Sequence, residues 1–194
     1  SSMLISTNSF GYPDLDMRPP EMQRSTMITW VLECPHCGYV ASDLEKDTTL
    51  SKDFLKSEGY LNCDNIDFKS DLAKKFYRSH LISTETDYLK SACFDIIYCT
   101  WACDDAEDIE NAVLMRKIAT DLADILIGRD DSEKNLLILL KADLLRRSGE
   151  FERLIEEYQN ITLSEEIENR ILEFQIEKAR ESDTNVYTTE EVIG

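Results

Sequence analysis

Apolar side chains recur every three or four residues through most of the chain, a spacing that predicts helices. Ile109, Ala112, Val113, Ala119, Leu122, Ala123 and Leu126 form one such stripe. Asp104 and Glu107 stand before it as a capping-box-like start, and Gly128 follows as a stop. From Leu136 to Leu145 the apolar density rises, as in a helix buried on most sides. Ser148-Gly149-Glu150 breaks that run, and Phe151, Leu154, Ile155 and Tyr158 mark a short helix beyond it. Thr162 and Glu165 form a second capping box, opening a last helix with Ile167, Ile171 and Phe174 inward. Two earlier helices are predicted near Phe68 to His80 and Thr84 to Cys103. Helices joined by such short turns read as stacked antiparallel hairpins.

The N-terminal part has another pattern. Met27-Ile28-Thr29-Trp30-Val31-Leu32 is rich in β-branched and aromatic residues and predicts a strand running into Cys34. Tyr39-Val40-Ala41 predicts a second, after the turn Pro35 to Gly38. A hairpin of two short strands is too small to be stable alone. All four prolines lie here (Pro13, Pro19, Pro20, Pro35), and their absence beyond residue 60 permits long helices. The expected organisation is an extended segment with a β-knuckle over 1–47, a helical array over 48–182 and a flexible acidic tail over 183–194. Phe10, Tyr12, Leu15 and Met17 are apolar enough to pack. Residues 10–45 are therefore expected to lie across the helices as a cover, pinned by Trp30 and by a metal.

Charge narrows the function classes. The chain carries 39 acidic and 21 basic side chains, a net charge of −18 over 194 residues. Such a field opposes nucleic-acid phosphates, so no nucleic-acid partner is expected. Residues 150–194 alone hold 13 acidic and 4 basic side chains. That is a solvated helix face with a frayed end, or an acidic surface for a basic partner. No apolar run is long enough for a membrane span, and no basic-then-apolar signal segment appears. Six cysteines without the spacing of a disulfide framework suggest a reducing compartment, hence a cytoplasmic protein. Ser1-Ser2-Met3 reads as an added or trimmed N-terminus and is set aside.

The segment Glu33-Cys34-Pro35-His36-Cys37-Gly38-Tyr39 carries the clearest chemistry. Two thiolates three positions apart around a turn can both reach one Zn²⁺. Pro35 pre-sets the turn, and Gly38 permits the positive φ that lets amide N–H groups point at the sulfurs. Cys34 and Cys37 are thus the expected ligands of a structural zinc, whose closed site needs two more. Cys63, Cys93, His80 and His36 are the single side chains available. Two other readings stand beside this one: a redox pair, which would want a helix N-terminus, and unligated thiols in a surface turn.

Met22 to Tyr39, with Gly11-Tyr12-Pro13-Asp14-Leu15-Asp16-Met17-Arg18-Pro19-Pro20 upstream, resembles an uncharacterised bacterial family, a domain of unknown function. Trp101-Ala102-Cys103-Asp104-Asp105-Ala106 and Leu144-Leu145-Arg146-Arg147-Ser148-Gly149-Glu150-Phe151 carry the same resemblance, so it spans most of the chain. It implies a zinc-ribbon-like N-terminus joined to tetratricopeptide-like helices, and no known reaction. It also implies a second Cys-x-x-Cys pair shortly before Ser6-Thr7-Asn8-Ser9, a pair this sequence lacks. Gly149-Glu150-Phe151-Glu152 is similar to the turn of a tetratricopeptide hairpin, with Ala142 at the close approach and Tyr158 on the groove side. Leu154 departs from the usual Ala, and generic antiparallel helices fit the same residues.

Cys99 and Cys103 lie four apart on one helix and read as small core residues sooner than ligands. His80, beside Arg78, is explained by a helix C-terminus. Neither a Gly-x-Ser-x-Gly motif nor a Gly-rich phosphate loop is present. The expected function is a non-enzymatic scaffold holding a protein or peptide. The alternative is a metal-dependent or thiol-based enzyme using Cys34 and Cys37.

Overall fold

A computed structural model describes residues 7–129 and 133–194. It is mainly helical, with one two-stranded antiparallel sheet near the N-terminus. Internal contacts group the residues into two units. One is Ser25–Met115; the other joins Asn8–Arg24 to Arg116–Gly194. The expected cover over 10–45 is therefore divided at Arg24 rather than continuous.

In the first unit the strand expected over Met27–Leu32 is mostly a 3₁₀ turn, Arg24–Thr29. Its side chains bond locally: the Thr29 hydroxyl donates to the Thr26 carbonyl at 2.8 Å, and the Trp30 indole N–H donates to the Thr26 hydroxyl at 2.9 Å. Such bonds offer the backbone an alternative to a ladder, and here they prevail over β-propensity. Pairing is confined to β1 (Leu32–Glu33) and β2 (Val40–Ala41), with Leu32 opposite Ala41 and Glu33 opposite Val40.

A short helix α1 (Glu58–Leu61) precedes the main pair, α2 (Asp71–Glu85) and α3 (Leu89–Asp105). The Ser70 hydroxyl caps α2 by accepting the Ala73 N–H. Phe76 on α2 and Cys93, Ile96 and Ile97 on α3 are fully buried, Phe76 and the two isoleucines each contributing about 1.5–3 kcal/mol. Trp30 packs edge-on against Tyr98, with ring centroids 5.3 Å apart, and Trp101 lies 6.5 Å away. Trp30 thus packs the chain before the N-terminal hairpin against α3 within this unit.

Helix α4 (Ile109–Ile127) starts directly after Asp108, whereas Asp104 lies inside α3. The Asp108 carbonyl accepts the Ala112 N–H at 2.9 Å, and its carboxylate accepts the Lys69 N–H at 3.0 Å. Most of the expected α4 stripe is buried, although Ile109 is exposed.

The second unit contains α5 (Lys134–Arg147), α6 (Phe151–Tyr158), α7 (Glu166–Arg180) and α8 (Thr189–Ile193). Every residue of α5 from Leu137 to Arg147 is buried, matching its high apolar density. The expected Thr162–Glu165 capping box is displaced by three residues: Glu165 and Glu168 make it. The buried face of α7 is Leu172, Gln175, Ile176 and Ala179, one position on from the expected Ile171, while Ile167 is exposed.

Backbone groups within 183–194, the expected acidic tail, make hydrogen bonds to the rest of the second unit. The Arg146 guanidinium donates to the carbonyls of Asp183 and Asn185 at 3.0 and 2.7 Å. The Tyr187 carbonyl accepts the Leu15 N–H at 2.9 Å, and Thr189 N–H donates to the Pro13 carbonyl at 2.9 Å. Asp16 on the same N-terminal strap accepts from Arg147 at 2.7 Å. Leu15 is buried, while Phe10 and Tyr12, expected to pack, are exposed. Periodicity misses this arrangement because backbone carbonyls and buried arginines hold it.

Candidate functional site

Cys34 and Cys37 occupy the turn that closes the β1–β2 hairpin. Cys34 N–H donates to the Tyr39 carbonyl at 2.8 Å, and Gly38 N–H donates to the Cys34 carbonyl at 3.0 Å. Gly38 has φ +72°, a conformation that favours glycine. The turn presents the backbone N–H groups of His36 and Cys37, and the Cys37 thiol, to the Cys34 sulfur, holding the Cys34 thiol below the usual value. Hydrogen bonds to the charged form favour it. Cys37 is exposed and Cys34 half-buried.

The hairpin is anchored through groups other than its thiols. Tyr60 O–H donates to the Gly38 carbonyl at 2.6 Å. Arg78 donates to Glu33 on β1 at 2.5 Å, to Asp64 at 3.0 Å and to the Cys63 sulfur at 3.2 Å. Its guanidinium also lies over the Tyr60 ring, 5.7 Å from the centroid. Beside the turn is a cavity of about 540 Å³ lined by His36, Cys37, Lys52, Leu55 and Lys56.

Of the other potential ligands, His36 is exposed in the same turn, while Cys63, Cys93 and His80 are engaged elsewhere. Cys63 is buried beside Arg78, and burial pushes its thiol up. Cys93 lies in the core, where burial pushes it up to about 12. Cys99 and Cys103 are fully buried, Cys99 donating to the Ala73 carbonyl at 3.2 Å. His80 is buried inside α2 with Nδ1 2.9 Å from the Ala92 carbonyl oxygen, and burial lowers its pKa. Among the described residues no group of three or more His, Cys, Asp or Glu side chains is placed to share a metal ion. Cys34 and Cys37 are thiol donors of the kind zinc takes, two of the four a closed site would need. The turn also lacks the helix N-terminus that a thioredoxin-like pair would use.

No family model, curated protein or solved structure matches the chain. Among the described residues no helix is long and apolar enough to cross a membrane.

Sequence reasoning missed two polar clusters. Asp16, Asp143, Arg146, Arg147 and Gln175 form a buried network in the second unit. In the first unit, Asp95 on α3 accepts from Ser83 on α2 at 2.7 Å at the edge of a groove. The spacing Ser79, Ser83, Thr86 and Ser91, Asp95 was the available signal: each set lies on one helix face.

Proposed function

We propose that the chain is a non-enzymatic protein-interaction scaffold, with tetratricopeptide-like helical hairpins and a structural zinc knuckle at Cys34 and Cys37. The observation that carries the scaffold is a repeated join. A three-residue turn links α2 to α3 and α3 to α4, and the turn between α5 and α6 ends its helix with the same backbone bonds. Successive helices joined in this way form hairpins whose surfaces can hold a protein or peptide. The amides facing the Cys34 sulfur support the knuckle, because they stabilise the thiolate that a metal needs. Cys34 and Cys37 would supply two of the four ligands, with exposed His36 in the same turn.

Metal analysis of the purified protein tests the knuckle. About one zinc per chain is expected, and Cys34→Ser should abolish it; undiminished zinc in that variant rejects the reading. For the scaffold, removing residues 150–194 would delete Leu154, Leu172 and Ile176 from the core. The suitable variant reverses exposed Glu152, Glu156, Glu173 and Glu177 to lysine. A partner captured by the native chain should be lost from this variant, whereas failure to capture any partner counts against the scaffold. The lowered Cys34 thiol favours a second reading, a thiol-based or metal-dependent enzyme using Cys34 and Cys37. It would require turnover that Cys37→Ala removes.

A further inference from the structure

Between the Tyr39–Thr49 stretch and the α2–α3 pair runs a groove of about 360 Å³. That volume is at the small end for a ligand site and suits a side chain or small molecule. Ser79 and Ser83 on α2 and Thr86 just past its end face it, with Ser91 and Asp95 on α3. Asp95 is held by Ser83, which donates at 2.7 Å, and by a hydrogen bond from Ser79. Trp30, Tyr39 and Tyr88 supply aromatic wall. The Trp30 ring is fixed by its N–H bond to Thr26 and its contact with Tyr98, whereas Tyr88 is 63% exposed.

The charges decide what such a groove accepts. Asp43, Asp47 and Asp95 line it, against Lys46 alone. Anions are therefore opposed. These carboxylates do not form a cluster able to share a metal ion, so a larger cation with spread-out contacts fits better. An ammonium group has three donors and no acceptor, and matches carboxylate and hydroxyl oxygens. Its alkyl stem and charge both favour aromatic faces. We propose that this groove binds an organic ammonium ion, the lysine side chain of a basic partner being its natural form. The ammonium site itself stands without the scaffold reading; only its delivery by a protein partner rests on that reading.

Titration of the full chain with 1,5-diaminopentane, followed by tryptophan fluorescence and calorimetry, tests the site. Salt at about 150 mM shortens the Debye length to about 8 Å and suppresses loose counterion binding to an acidic protein. Saturable binding is expected, with none for neutral pentane-1,5-diol. Asp95→Asn keeps an oxygen for the serines but removes the charge, and should weaken binding by about tenfold or more. Tyr88→Ala, at an exposed ring, should weaken it by about threefold without disturbing the core. Lys46→Ala should tighten it, because a competing cation is gone. Unchanged affinity in Asp95→Asn, or equal binding of the diol, overturns the proposal; if Asp95→Asn does not fold, unchanged affinity in Tyr88→Ala does so. A capped Gly-Lys-Gly peptide separates the sources: binding of both probes supports delivery by a partner's lysine. Binding of the diamine alone supports the site with a free amine as ligand and counts against a protein partner there. Failure of both rejects the site and leaves the zinc and partner tests of the scaffold untouched.

Discussion

Arg147 meets Asp16 at 2.7 Å and Asp143 at 4.0 Å, so one guanidinium faces two buried carboxylates. Burial and then the Asp143 charge push the Asp16 carboxyl up to about 6, against the pull of Arg147 and of the Arg18 N–H, with Asp14 adding a small upward push. The folded protein therefore holds this proton more tightly than the unfolded chain, whose value is 3.8. The resulting stabilisation is full below about pH 4 and is lost as pH rises through about 6. The shift corresponds to about 3 kcal/mol at most. Asp16→Asn keeps an acceptor for Arg147 and removes the titration. Urea unfolding at about pH 5 and about pH 7 should show a smaller pH dependence in the variant than in the native protein. Identical slopes would show that Asp16 does not titrate in this window.

At the scale of elements, four helices stop in the same way. Asp87, Glu107, Gly149 and Ser182 all have positive φ. In each case the next residue's N–H bonds five positions back: Tyr88 to Ser83, Asp108 to Cys103, Glu150 to Leu145 and Asp183 to Lys178. This is the Schellman stop, usually built on glycine, and only Gly149 advertises it in the sequence. A side chain in the left-handed region costs about 1–2 kcal/mol, while glycine adds about 0.5–1 kcal/mol of unfolded-state entropy. Glu107→Gly should therefore raise stability modestly, by up to about 1 kcal/mol, since the Glu107 carbonyl that accepts from Lys69 is retained. A fall in the denaturation midpoint would show that the Glu107 side chain matters more than its backbone strain. The same elements show what was legible. Long apolar runs such as Leu136–Leu145 announced their helices, and the thiol turn with Gly38 announced its shape. Helix ends at Asp87 and Asp108 did not, because aspartate serves turns, caps and exposed faces alike. The 3₁₀ turn at Arg24–Thr29 was hidden because β-branched threonines also make local hydroxyl bonds. In the candidate site, Cys34 and Cys37 were legible by spacing, whereas the anchors Tyr60 and Arg78 are distant in sequence and invisible to it.

Across the whole molecule the excess negative charge is shared evenly. Residues 25–115 hold 17 acidic and 8 basic side chains, while 8–24 with 116–194 hold 22 and 13. Each unit therefore repels itself to a similar extent. Opposing this, the best-buried ion pairs lie where salt reaches poorly: Arg146 joins Asp143, and Arg147 joins Asp16. Screening weakens long-range repulsion among exposed carboxylates more than these close, covered pairs. Raising salt from about 0.01 M to about 0.15 M cuts the Debye length from about 30 Å to about 8 Å. Added sodium chloride should thus stabilise the fold, raising the thermal midpoint by a few degrees, on the order of 1 kcal/mol. The exposed pairs around Arg153, to Asp124, Glu150 and Glu157, will weaken at the same time, but such pairs contribute little individually. A midpoint that falls steadily with salt would show that local ion pairing outweighs the net charge.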